Sequence, residues 1–370
     1  MAVRESKTKA QTRVPLVILW VLFAALFLLG FYYAFGWALQ DESSEYVRGK
    51  EILHTQPPPP VLDKKEYDRR LFVLANYPDA ATSTYATSSP KAASSTRAWP
   101  VKSAPYPKVG AILPFYRVVA YYGNFYSKGM GALGQYPEDE MLSKLQAEVG
   151  RWEAADPDTP VMPAIHYIAT TAQLLPQKDG MYTLRMPDSQ IDHALELAAK
   201  INGIVFIDFQ VGFSTLQKEL PLYEKYLSMP NVHLGIDPEF SMKGKYPPGK
   251  EIGMFTAEDI NYAISYLSGL VKTHNLPPKI LVVHRFTHDM VGNAERIRPT
   301  PEVQFVMDMD GWGDKAKKLG TYTRVVAAEP VQFTGFKIFY KNDLLPPSTD
   351  LYAPEELMKL SPRPIYIQYQ

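Results

Sequence analysis

The stretch "VHLGIDPEF", residues 232–240, is apolar up to Ile236 and then turns acidic at Asp237 and Glu239. A strand that is apolar at consecutive positions is buried on both faces, the condition of a parallel sheet covered by helices. In an extended chain, residues two apart point to one side. The spacing therefore predicts two carboxylates aimed at one spot, at the C-terminal end of a buried strand.

The same texture recurs on either side. Apolar, β-branched runs predict strands at 117–124, 161–169, 203–210, 232–239, 280–287, 303–311, 335–342 and 364–370. Helical spacing predicts helices near 137–154, 188–201, 214–228, 256–274, 289–297, 313–319 and 354–360. The fourth of these opens with "TAED", a hydroxyl at the N-cap and a carboxylate three residues on, which resembles a capping box. Eight such strands, each but the last followed by a helix, predict a closed (β/α)8 TIM-type barrel over 109–370. A doubly wound open sheet is the alternative.

Polar residues gather at one end of these strands. The C-terminal ends carry Tyr122 and Asn124, His166, Asp208 and Gln210, Asp237 and Glu239, His284, Asp308 and Asp310, Tyr340 and Asn342, and Gln368. Strand-to-helix connections are long and helix-to-strand turns are tight, so one face of the barrel is built for a ligand. A lone aspartate at a strand end is more often a turn clasp, and a lone histidine an interior one. Convergence of carboxylates and histidines from five strands is what favours a site.

Glycosidic bond cleavage fits such a cluster, because it uses two groups flanking one bond, one protonated and one ionised. Close carboxylates push their pKa values apart. Glu239 is the expected general acid and Asp237 its partner, with Asp208 and Asp310 as nucleophile, base or electrostatic candidates. Tyr122, Asn124, His166, Gln210, His284, Trp312, Tyr340 and Gln368 are the expected substrate-binding residues. Aromatic side chains including Tyr121 and Tyr126 suit stacking on sugar rings, though aromatics are also ordinary core filler. No metal ligand set is expected. A metal-dependent, phosphodiesterase-like hydrolase that uses these carboxylates with a histidine and a divalent ion is one alternative. A non-catalytic glycan-binding barrel is another, suggested by Gln210 standing where a carboxylate would be wanted.

"DPE" at 237–239 resembles the end of the D-x-x-D-x-D-x-E motif of chitinase-type glycosidases, the family eighteen barrels. In that family the glutamate protonates the leaving oxygen and the aspartate supports a substrate-assisted mechanism; the resemblance implies those roles for Glu239 and Asp237. The upstream positions read "HLGI" and lack the further aspartates. "NGIVFIDFQ" is similar to the "DGIDIDWE" type, but it lies on the third strand and has Gln210 in place of the glutamate. The strand ends "YYGN", "DPE", "VVH" and "MDG" are also similar to those of a group of secreted bacterial barrel proteins without an assigned reaction.

The remainder of the chain sets the expected location. Of 370 residues, 39 are basic and 39 acidic, which argues against a nucleic-acid partner, and the absence of cysteine excludes disulfides and thiol catalysis. Residues 14–39 carry no charge and are long enough to span a bilayer. Arg4, Lys7, Lys9 and Arg13 precede them and Asp41, Glu42 and Glu45 follow. The positive-inside rule then predicts a cytoplasmic tail at 1–13, a single-pass signal anchor at 14–39 and an extracytoplasmic remainder. A cleaved signal peptide is the alternative. Residues 40–108 contain "QPPPP" and a Ser/Thr/Ala/Pro tract, the composition of a disordered stalk, with one helical exception around 63–76. The segment before residue 117 is available to cover the barrel where a closing helix is missing.

Overall fold

A computed structural model describes residues 61–77 and 99–370, apart from Lys245. The expected tail, signal anchor and most of the stalk lie outside the described residues, among which no helix is long and apolar enough to cross a membrane.

Eight parallel strands close on themselves. They are β1 (Arg117–Gly123), β2 (Val161–Ala172), β3 (Ile204–Phe209), β4 (Val232–Ile236), β5 (Lys279–Arg285), β6 (Val303–Met309), β7 (Phe333–Ile338) and β8 (Tyr366–Tyr369). Each pairs with the next, and β8 pairs with β1, so no edge strand is left in the barrel. The open-sheet alternative is thereby set aside.

Alternation along each strand divides the core in two. Outward residues such as Val119, Ile165, Ile207, Leu234, Val283 and Phe305 pack against the helices, including α2 (Glu138–Ala155), α3 (Asp188–Lys200) and α4 (Ala257–Thr273). The capping box expected at the start of α4 is present between Thr256 and Asp259. Inward residues fill the barrel, and their character changes along its axis. Val118, Ala120, Ala164, Phe206, Val282, Val306 and Phe333 form an apolar layer toward the N-terminal end.

That end is closed by residues the sequence places in the stalk. A helix, α1 (Lys64–Ala75), capped by the Asp63 side chain and ended by Asn76 in the left-handed region, buries Tyr67, Leu74 and Ala75 in the apolar layer together with Trp99 and Leu113. Asn76 donates to the carbonyls of Met358 and Leu360, and the Trp99 indole donates to Gln332 O at 2.8 Å. The compact unit therefore begins at Val61 rather than 109. Composition argued for disorder because the apolar residues here are few; Tyr67, Leu74, Ala75, Trp99 and Leu113 are spent on one contact surface, while Val61 and Phe72 stay exposed.

Two expected helices are broken. Residues 214–228 form short helical pieces at Leu216–Glu219, Leu220–Tyr223 and Glu224–Leu227, with Pro221 interrupting the ladder. Residues 289–297 form two single turns around Val291–Gly292, with Asn293 in the left-handed region.

Candidate active site

The apolar layer gives way to a polar one at the C-terminal ends of the strands, and above it opens a cavity of about 630 Å3. Asp237 and Glu239 reach it from the end of β4, Asp310 from β6, Lys337 from β7, Tyr122 from β1 and Gln210 from β3. Trp312, half exposed at the rim, lines it too, with the Lys317 ammonium 4.5 Å from the centre of its ring.

Asp237 and Glu239 do not share a strand face, because β4 ends at Ile236 and Pro238–Phe240 is a single 3-10 turn. Asp237 caps that turn, its Oδ1 accepting from the Glu239 amide at 3.3 Å. The aspartate thus sets the backbone that presents the glutamate. Burial pushes the Asp237 carboxyl well above the carboxylate range, and the charges of Glu239, Asp310 and Asp208 add to this. Burial, helped by Asp310, pushes Glu239 up to about 7, against the opposing pull of Lys337 and His284. No described residue is seen to hydrogen-bond the Glu239 carboxyl, and Glu239 lines the cavity.

Asp310 has the opposite surroundings. Its Oδ1 lies 2.9 Å from Lys337 Nζ, and its Oδ2 lies 3.5 Å from His284 Nδ1. Lys337 is buried and sits 4.0 Å from the centre of the Tyr122 ring.

His166, Asp208, His284, Asp308 and Gln368 lie beneath this floor, fully buried. One oxygen of Asp208 accepts from His166 Nε2 at 2.7 Å and from His284 Nε2 at 2.8 Å. His166 Nδ1 lies 2.5 Å from the Tyr366 hydroxyl and 3.0 Å from Gln368 Nε2, so the bonding pattern assigns it a neutral ring with the proton on Nε2. Burial holds His166 down to about 4, partly offset by Asp208. His284 Nδ1 faces Asp308 Oδ2 at 3.2 Å. Burial opposes a charge on His284, but Asp208, Asp308 and Asp310 outweigh it and raise the group well above the usual imidazole range. Asp208 is likewise disfavoured by burial, yet its two histidines hold it below the usual range.

By residue type, His166, Asp208 and His284 would suit a divalent metal. Their four ring nitrogens already have partners in a consistent donor and acceptor pattern, a proton-sharing network, while the second oxygen of Asp208 is buried without a hydrogen-bond partner. The network is also packed to its limit. A Cβ at Gly235 would stand 2.3 Å from Asp208 Oδ2 and 2.4 Å from His166 Nε2, and one at Gly335 would stand 2.5 Å from Asp308 Oδ1.

Of the residues singled out in the sequence, Glu239, Asp237, Asp310, Tyr122, Gln210 and Trp312 line the cavity. His166, Asp208, His284 and Gln368 support its floor without lining it. Asn124 and Tyr340 do neither. Asn124 donates to the Tyr167 hydroxyl and to Ile168 O, clasping the loop after β1. Tyr340 shares a hydrogen bond with Tyr121 at 2.9 Å and donates to Glu148 on α2, on the outer side of the barrel. Tyr126 is exposed and outside the cavity lining. Lys337 is the residue the sequence reading missed. Its signal was a charge inside the apolar run "GFKIF", in step with inward-facing Phe333 and Gly335.

No protein-family model matches the chain, and no curated protein matches it in sequence. Among solved structures, it is similar to a mannanase from Bacillus subtilis at 13% identity, over 69% of this chain and 79% of that one, with a TM-score of 0.35. A broad-specificity endoglucanase from Clostridium longisporum matches at 8% identity over 61% of this chain and 75% of that one, TM-score 0.33. The HPPK-DHPS protein of Plasmodium falciparum matches at 10% over 69% of this chain and 44% of that one, TM-score 0.33. At these TM-scores the likenesses carry no argument, and the barrel rests on its own closed ladder of strands. None of these neighbours is a chitinase-type barrel.

Proposed function

We propose that the chain is a glycoside hydrolase acting outside the cytoplasm on a cell-envelope or environmental polysaccharide or oligosaccharide, tethered by the apolar segment at 14–39. One observation carries the reading: two carboxyl groups with contrasting surroundings, one half-buried without a paired cation and one against a lysine, face one cavity. Glu239, raised to about 7, keeps a proton near neutrality, while Asp310 is paired with the Lys337 ammonium at 2.9 Å. That is the division of labour that glycosidic cleavage uses. Glu239 gives its proton to the leaving oxygen as the bond to the anomeric carbon breaks. Asp310 either attacks that carbon or takes the proton of an attacking water. Asp237 holds the turn that presents Glu239, and Trp312, half exposed at the rim, offers a ring face to the sugar.

The test is reducing-end release from a panel of envelope glycans and chitin-type oligosaccharides by the wild type and Glu239→Gln, with and without EDTA. Release that is lost in the variant and survives EDTA supports the proposal. Release abolished by EDTA moves the carboxylates to metal duty. Binding without release in both proteins favours the glycan-binding barrel.

A further inference from the structure

The hydrogen bonds beneath the cleft describe a charge that the cleavage chemistry itself does not require. His284 is fully buried, and each of its ring nitrogens faces a carboxylate oxygen: Nε2 faces Asp208 at 2.8 Å, and Nδ1 faces Asp308 at 3.2 Å and Asp310 at 3.5 Å. A neutral imidazole has one N–H and one lone pair, and a lone pair turned toward a carboxylate would be repelled. Burial raises Asp308 against the pull of His284, so Nδ1 and Asp308 Oδ2 compete for one proton; the second carboxylate facing Nδ1, Asp310, favours the ring, and with both nitrogens donating the ring is a cation.

We propose that His284 is a positioning residue, an imidazolium clamped between Asp208 and Asp308, which fixes the Asp310 carboxylate against Lys337 and supplies a positive field to Glu239 from below the cleft. Asp208 and Asp308 then act through His284 and touch no substrate. The protonation state of His284 stands on its hydrogen bonds alone; its catalytic consequence rests on the glycosidase reading.

Every barrel strand contributes to the surroundings of this ring. Carboxyl groups come from β3 (Asp208), β4 (Asp237, with Glu239 just beyond) and β6 (Asp308 and Asp310). His166 on β2 is neutral, and its ring centre lies 5.6 Å from that of His284. Tyr122 on β1 has its ring centre 5.7 Å away, and Lys337 on β7 is the second cation of the floor, paired with Asp310. Tyr366 on β8 bonds His166 rather than His284. Burial raises both tyrosines well above the usual phenol range, so they bring no charge. Two cations thus serve Asp208, Asp308 and Asp310, and loss of either cation leaves the carboxyl groups of the cleft to take up protons.

The experiment is NMR on the full chain in detergent, labelled with 15N in histidine rings and 13C in glutamate carboxyls. His284→Gln and Glu239→Gln assign the two signals. In the wild type, both ring nitrogens of His284 should carry protons throughout the neutral range, and Glu239 should titrate near 7. In His284→Gln, the Glu239 midpoint should rise by about one unit, the scale of losing one nearby charge. A wild-type His284 with one bare nitrogen at neutral pH, its proton residing on Asp308, overturns the proposal, as does an unmoved Glu239 midpoint in a folded variant. Should His284→Gln fail to fold, the wild-type ring spectrum still decides. These readings need no substrate, so failure to cleave glycans counts against the hydrolase reading alone. Where cleavage is found, the upper limb of the pH–rate profile, set by Glu239, should move to higher pH in the variant, which a merely structural role would not produce.

Discussion

Lys337 Nζ lies 2.9 Å from Asp310 Oδ1, and both groups are buried in the floor of the cleft. Removing one partner of such a pair leaves an uncompensated charge in a low-dielectric site, at a cost of about 3–5 kcal/mol. Lys337→Met should lose stability on that scale in urea denaturation at neutral pH. If Asp310 is then also replaced, by Asn, much of the loss should return. A double variant no more stable than the single one would show that the pair is not the source of the cost.

Glu239 makes stability depend on pH in a direction opposite to that of most carboxylates. Its ordinary value of 4.5 rises to about 7 in the fold, so the folded state binds the proton more tightly than the unfolded chain does. The contribution is complete below pH 4.5 and is lost as pH rises through 7. Glu239→Gln removes the ionisation, and should be more stable than the wild type above neutrality by up to about 3 kcal/mol. The difference should vanish near pH 4. Thermal melts across that range check it, and parallel curves for the two proteins would contradict the assigned shift.

The same shift fixes one limb of activity. A general acid works while protonated, so cleavage should decline above pH about 7. Glu239→Gln should lower kcat by about 10²–10⁴-fold on unactivated substrates. Aryl glycosides with good leaving groups, which need little protonation, should lose much less. Equal losses on both substrate types would remove Glu239 from the acid role.

Gly235 is inward-facing on β4, and any side chain there meets Asp208 and His166. Neither partner can retreat, since each is held by further hydrogen bonds. Gly235→Ala should destabilise by about 1–3 kcal/mol, the cost of overpacking. Its 15N histidine spectrum should also change, reporting a broken His166–Asp208 bond. Unaltered ring signals would mean that the network tolerates displacement.

The closure of the barrel's N-terminal end makes a prediction far from the chemistry. Trp99 is buried among inward residues and bonds Gln332 O. Trp99→Ala should cost about 3–5 kcal/mol in urea denaturation. A cost near zero would return this segment to the stalk that its composition suggests.

The eight strands were legible in the sequence because burial on both faces demands consecutive apolar residues, and only a sheet covered by helices supplies that environment. The crowding of polar residues at one strand end was equally plain, since "IDPE", "VVH" and "MDMDG" break apolar runs at their C-terminal ends. Which of those groups face the cleft was decided by the tertiary structure. Alternation says that a residue points inward, but its depth along the axis depends on strand register and tilt. Register seats His284 beside Asp308, and it sinks Asp208 below the floor while Asp310 stays at the surface of the cavity. Lys337, a charge within an apolar run, gains its role only from Asp310 beside it. The helix at Lys64–Ala75 was visible, but its place was not, because a few apolar residues in a polar tract acquire a partner only when the open end of a barrel is there to receive them.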